Sequence, residues 1–205
     1  MLRDELIEYY NRCVTFGLEC RYDIWGYKVE NNLVLLTDYY GKRVSELTIP
    51  DGIDGICSGA IDKLQYCLKS LNLNDVKRLE VESLFDYSLE EIIAPNLEYI
   101  GEAGLKSCSS LTKFVGDKVI KLGVDAFRDC SKLSTVSLKN VLCIDNSAFY
   151  ECSDLVEIDA PQVEYIGSYA FAGCDNLVDI NLNAGTVICD GAFRWCKKLK
   201  VNVLE

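Results

Sequence analysis

A chain of 205 residues, 49% of them hydrophobic, is long enough for one core, and with three prolines and no Gly/Ser-rich or Pro-rich tract it shows no linker between two domains. A net charge of −11 argues against direct nucleic-acid binding, which calls for a basic stripe; the short RWCKKLK at 194–200 does not overturn that balance. No run of about eighteen apolar residues offers a membrane-spanning helix, and MLRDELIEYY, with acids at 4, 5 and 8, does not read as a secretory signal. The expectation is a cytoplasmic protein, or a surface or secreted one if the chain is a fragment.

In chain order, Leu2, Leu6, Tyr9 or Tyr10, and Cys13 recur at steps of three and four and predict an amphipathic helix, with Gly17 as its stop. RYDIWGYKVENNLVLLTDYYG (21–41) then predicts two strands around an Asn-Asn turn. Six of the twelve tyrosines lie in this first part. Residues 1–41 are expected to form a helix-and-hairpin cap, and residues 42–205 a single repeat array.

The array announces itself by its period. Cys108, Cys130, Cys152, Cys174 and Cys196 are each 22 residues apart, and Leu111, Leu133, Leu155, Leu177 and Leu199 keep the same interval. Phe127, Phe149, Phe171 and Phe193 form a third column, with Leu105 in its first slot. Ala126, Ala148, Ala170 and Ala192 precede them, with Gly104 at the start. Ile100, Leu122, Ile144, Ile166 and Ile188 form a fifth. Self-similarity at this period signals stacked coils that bury a common core.

Within each copy, L-x-x-I-x-L (LSTVSL, 133–138) carries the alternation of a strand. A turn and a short apolar pair such as Val163 and Ile166 follow. Ala170, Phe171 and Cys174 then stand at helical spacing and predict a single helical turn. Less regular copies precede these: VSELTIPDGIDGICSGAI (44–61), LKSLNL (68–73) and LEEIIA (89–94). Strand phrases begin at 44, 68, 89, 111, 133, 155, 177 and 199, which makes eight coils. In the last, Val201 and Val203 change the phase, as a capping coil would.

LTIPDGIDGICSGAI, IGSYAFAGCDNLVDINL and IDNSAFYECSDLVEIDAP resemble the BspA-like leucine-rich repeats, over about residues 44–204. The segment ending in YYGKRVSELTIPDGI resembles the entry that often precedes such repeats. The resemblance implies an α/β repeat solenoid with a parallel sheet on its concave face, used to bind macromolecules, and it brings no catalytic motif. Many relatives are surface or adhesion proteins.

The residues themselves carry little chemistry. There is no histidine, no C-x-x-C, no G-x-G-x-x-G and no P-loop, so His-based triads and the common zinc and nucleotide sites are excluded and no catalytic residue, metal or cofactor is expected. The cysteine column would spread ligands along a stack instead of converging them on a tetrahedron. With an odd number of cysteines, eleven, the expectation is reduced thiols serving as small hydrophobes.

The sheet face remains. The third and fifth positions of each strand phrase point away from the core. They place Glu91, Ile93, Lys113, Val115, Thr135, Ser137, Glu157, Asp159, Asp179 and Asn181 on one surface. Ile93 and Val115 give it an apolar spot and Glu157, Asp159 and Asp179 an acidic flank, suited to a protein or peptide ligand with basic residues. The expected function is a non-enzymatic interaction module or scaffold. The alternatives are an adhesin-type fragment of a secreted parent and an acidic mimic that blocks a nucleic-acid-binding protein.

Overall fold

The computed structural model describes residues 3–15 and 20–204, the last four of these by backbone alone. Helix α1 (Arg3–Thr15) carries Asp4 and Glu5 in its first turn, where acids favour the helix dipole, and buries Leu6 and Cys13. Leu2 and Gly17 lie outside the described residues. Three strands follow where two were expected: β1 (Arg21–Tyr22), β2 (Trp25–Glu30) and β3 (Leu33–Tyr39), all antiparallel. Asn31 and Asn32 turn the hairpin with φ of 50° and 61°, the double left-handed turn that Asn tolerates.

Each coil then contributes two strands. They are β4 (Glu46–Thr48) and β5 (Gly55–Ile56), β6 (Ser70–Asn72) and β7 (Arg78–Leu79), β8 (Glu91–Ile93) and β9 (Tyr99–Ile100), β10 (Lys113–Val115) and β11 (Lys121–Leu122). They continue with β12 (Thr135–Ser137) and β13 (Cys143–Ile144), β14 (Glu157–Asp159) and β15 (Tyr165–Ile166), β16 (Asp179–Asn183) and β17 (Val187–Ile188), and end with β18 (Lys200–Leu204). The even-numbered strands from β4 are the L-x-x-I-x-L phrases, and they pair in parallel and in register within two groups, β4 to β8 and β10 to β18.

The odd-numbered strands from β5 make a parallel ladder, extended by the antiparallel β1–β3, where the sequence predicts only an apolar pair. Its order is β1-β2-β3-β5-β7-β9-β11-β13-β15-β17. The N-terminal hairpin opens this sheet: Leu35 of β3 lies opposite Gly55 of β5. Buried Asp54 joins the parts, accepting bonds from Arg3 Nε at 2.7 Å and from the Val34 N–H at 2.9 Å. A Cβ at Gly55 would lie 2.8 Å from the end of the Leu35 side chain and 3.2 Å from the Arg78 carbonyl, so hairpin and coils approach closely there.

The helical turn expected at Ala170, Phe171 and Cys174 is absent; the chain makes consecutive tight turns. Tyr169 and Gly173 take left-handed φ of 56° and 79°, which a right-handed helix forbids. The Phe171 N–H donates across to the Ala192 carbonyl of the next coil at 2.7 Å, while Ala172 and Cys174 bond locally to Tyr169 and Phe171. The same alternation recurs at 103–108, 125–130 and 147–152. It amounts to a third ladder between coils, with every second N–H turned to the neighbour. In the coil of Ala60 and Ile61, a short 3-10 turn, Asp62–Leu64, stands in this place.

The columns pack as rows. Leu111, Leu133, Leu155 and Leu177 are fully buried, as are Phe127, Phe149 and Phe171. The phenylalanine rings stack nearly parallel from 127 to 193, with centroids 5.1, 5.2 and 5.3 Å apart. Leu105 leaves that row one ring short, and Phe114, from the strand side, meets Phe127 edge-on at 4.9 Å. The side chains of Val201 and Val203 lie outside the described residues.

Candidate functional site: the face of the strand-phrase sheet

Strand alternation decides which side chains reach this surface. In β8, β10, β14 and β16 the second residues, Ile92, Phe114, Ile158 and Ile180, are buried, and Glu91, Ile93, Lys113, Val115, Glu157, Asp159, Asp179 and Asn181 are exposed. Thr135 and Ser137 flank buried Val136 and are partly exposed. In-register pairing brings the expected residues together: Lys113 opposite Thr135 opposite Glu157, and Val115 opposite Ser137 opposite Asp159. Asp179 lies opposite Glu157.

The charges on the face differ in what holds them. Glu91 accepts from the Ser70 hydroxyl at 3.4 Å. Ser137 donates to Asp117 at 2.6 Å and Lys139 pairs with the same carboxylate at 2.9 Å. These hydrogen bonds, Ser137's first, hold the Asp117 carboxyl below its ordinary range. The side chains of Lys113, Glu157 and Asp159 have no hydrogen-bond or ion-pair partner at contact distance among the described residues. Glu157 and Asp159 form an acidic ridge of two adjacent outward positions on one strand.

The face is interrupted. Pairing runs through β4-β6-β8 and through β10-β12-β14-β16-β18, but β8 and β10 are not hydrogen-bonded to each other. Flanking bonds vanish with it. At the β6–β8, β10–β12 and β12–β14 seams Leu73 donates to Ile93, Gly116 to Ser137 and Leu138 to Asp159, at 2.8–2.9 Å, while the β14–β16 seam keeps the Glu157–Asp179 pair but no bond from the Ala160 N–H to Asn181. The Ala94 N–H in the equivalent position makes no such bond to Val115, nor does the Thr112 N–H reach the Glu90 carbonyl as Ser134 reaches Thr112. The second sheet stays closed alongside, with Tyr99 opposite Lys121, and so does the turn ladder, with Leu105 donating to Ala126 at 2.8 Å. The coils are therefore parted at this face alone.

The opening coincides with a change in the inward row. Phe114 stands where neighbouring strands carry Ile92 and Val136, and Gly116 stands where they carry buried Ala94 and Leu138. A Cβ at 116 would lie 2.5 Å from the Phe114 ring, so the ring takes the space of the missing side chain. A groove of about 680 Å³ runs along the seam, within the size range of ligand pockets. Glu90, Ile93, Pro95, Thr112, Val115 and Lys118 lie around it. Glu90, Pro95, Thr112, Asp117 and Lys118 were not among the sequence-derived site residues. The departures of Phe114 and Gly116 from their columns are a signal in the sequence that the column reading passed over.

The cysteine column faces the opposite way and has a structural task. Cys108, Cys130, Cys152 and Cys174 are buried, and each thiol donates to a carbonyl of the preceding coil at 3.1–3.2 Å, Leu84, Leu105, Phe127 and Phe149 in turn. Burial drives the Cys130, Cys152 and Cys174 thiols well above their ordinary pKa and pushes Cys108 up to about 12. They stay neutral, which suits a donor and not a metal ligand or nucleophile. All eleven cysteines carry free thiols, and among the described residues no three Cys, Asp or Glu side chains converge as a metal site. No described helix is long and apolar enough to cross a membrane.

Comparison with known proteins agrees with this architecture. The profile of the "BspA type Leucine rich repeat region" family matches residues 37–140 and 77–200 with six copies. A leucine-rich repeat protein from Bacteroides ovatus has 20% identity and a TM-score of 0.71 over 90% of this chain and 52% of its own. One from Eubacterium ventriosum has 26% identity and a TM-score of 0.62 over 82% of this chain and 49% of its own. The T. pallidum leucine-rich repeat protein has 21% identity and a TM-score of 0.58 over 78% of this chain and 90% of its own. The chain thus spans about half the length of the first and second of these. No curated protein matches.

Proposed function

The chain belongs to the BspA-type leucine-rich repeat family, and from that premise we propose that it is a protein-interaction module or scaffold that receives its partner on the face of the strand-phrase sheet. Fold and family of this kind are typically non-enzymatic, and the described residues assemble nothing that resembles a reaction centre. One observation carries the reading. Successive coils align outward side chains in register, with the Glu157–Asp159 ridge left without contact-range partners beside exposed Ile93 and Val115. Such an array suits a protein or peptide ligand with basic residues, because surface acids of this kind steer encounter and set salt dependence.

A photo-crosslinking amino acid placed at Thr135, on the face, and in a separate variant at Tyr150, on the turn side, tests this in an extract of the native source. A specific adduct from position 135 and none from position 150, identified by mass spectrometry, is the expected result. Adducts from 150 alone would move the interaction to the turn side. The site is expected to weaken with salt, since about 0.5 M shortens the Debye length to a few ångströms.

A further inference from the structure

Resting on that reading, we propose that the open seam between β8 and β10 is an anchor socket for an extended peptide of the pattern apolar-x-basic. The apolar side chain enters between Ile93 and Val115, and the basic one reaches the Glu157–Asp159 ridge.

Four observations lead there. The seam lacks the pairing of its neighbours over its whole length, while the two other ladders between the same coils are intact. Its rim has an apolar part: Ile93 and Val115 are 44% and 42% exposed, and Pro95 stands beside them, with charged residues such as Glu90 and Lys118 farther round. The opening is too narrow for a whole strand. An inserted strand needs about 9.6 Å, twice the ~4.8 Å spacing of a sheet, and β8 and β10 approach within 8 Å at their Cα atoms. A side chain fits where a backbone does not. Unbonded Ala94 N–H and the Val115 carbonyl flank the opening and can meet the polar backbone of the peptide that carries that side chain.

Charge selects the remainder of the ligand. The outward column positions from Glu46 to Asn181 hold five acids, Glu46, Glu91, Glu157, Asp159 and Asp179, against one base, Lys113. Glu157 and Asp159 lie two strands beyond Val115, about 10 Å away at ~4.8 Å per strand. A peptide crossing the strands repeats the same side every ~6.6 Å, and a Lys or Arg side chain covers the difference. A basic residue two positions from the anchor therefore arrives at the ridge.

The test uses the whole chain and a fluorescein-labelled hexapeptide, Thr-Leu-Thr-Lys-Thr-Lys, with two controls in which Leu or both Lys are replaced by Thr. Anisotropy reads binding; thermal melts confirm that Ile93→Asp, Val115→Asp and the Glu157→Lys/Asp159→Lys pair fold alike, since all four positions are exposed. The expected result is a loss of about tenfold or more on removing Leu from the peptide or on either seam substitution, the worth of one buried Leu side chain. The paired charge reversal should also weaken binding and remove most of its salt dependence. Equal binding of the Leu and Thr peptides, with loss only on charge reversal, would overturn the socket and leave the sheet-face reading standing. Binding indifferent to all four substitutions would overturn both. No binding at about 1 mM protein, where even a peptide with Kd near 1 mM is half bound, would overturn the socket as well.

Discussion

Two seams of one sheet, built from the same phrase, behave differently. Between β12 and β14 the pairing is complete: Thr135, Val136 and Ser137 oppose Glu157, Ile158 and Asp159, and Leu138 donates to Asp159 at 2.8 Å. Between β8 and β10 it is gone. The closed seam has aliphatic residues, Val136 and Ile158, at its inward position and buried Leu138 and Ala160 after the strand. The open one has Ile92 against Phe114, with Gly116 following. A solenoid can therefore part its coils on one face while two other ladders hold them together. A repeat whose columns depart locally from consensus is a place to look for a site.

The largest effect is expected where the regular part is broken. Phe149→Ala removes the centre of a ring stack with neighbours at 5.1 and 5.2 Å, and should cost about 3–5 kcal/mol in denaturant melts. A cost below about 1 kcal/mol would show that the row does not carry the core.

Next is the joint between hairpin and coil. Asp54→Ala strips a partner from the Val34 N–H and from Arg3, and a buried donor left unpaired costs about 1–3 kcal/mol. An unchanged melt would mean that the N-terminal elements contribute nothing to the stability of the array. The comparison between seams is sharpened by Phe114→Val with Gly116→Leu, which writes the pattern of the closed seam into the open one. The pair should close the groove, at a smaller cost than Gly116→Leu alone, because Phe114→Val vacates the space the new leucine enters. Gly116→Leu alone should cost about 1–3 kcal/mol, because its side chain collides with the Phe114 ring.

The smallest expected effect comes from the thiols. Cys152→Ala should cost about 1 kcal/mol, the loss of one bond and little volume. The column pKa values are raised in the fold by burial. Stability from these groups is therefore full below the unfolded thiol's pKa, about 8.5, and is lost as pH rises above it toward the folded values. Melting temperature should fall with rising pH above that point, and fall less in Cys152→Ala. An equal slope in both proteins would detach the alkaline loss from the column.

Much of this was legible in the residues. The 22-residue columns placed the leucine and phenylalanine rows, and alternation placed the outward residues from Glu91 to Asn181. The turn side was misread because Ala170, Phe171 and Cys174 have the spacing of a helix. Of the three, only the Phe171 N–H goes to the next coil, while Ala170 and Cys174 bond locally, and nothing in Tyr169 or Trp195 signals a left-handed φ. The second sheet was reduced to an apolar pair because two-residue strands such as Tyr165–Ile166 are too short to alternate. The thiols read as small hydrophobes, since a donor role shows only when a carbonyl of the preceding coil stands opposite. The open seam escaped because it consists of bonds not made, and periodicity reports only what recurs.

Amide hydrogen exchange, resolved residue by residue in the native protein, tests the central claim that one seam of the sheet is open while its neighbours are closed. The Ala94 and Thr112 amides should exchange about a hundredfold or more faster than Gly116, Ser134 and Leu138, which are bonded in the equivalent positions. Leu105 and Gly123, bonded in the other two ladders between the same coils, should remain as slow as their counterparts elsewhere in the stack. Equal protection of Ala94 and Gly116 would contradict the open seam, and with it the groove on which the peptide socket depends.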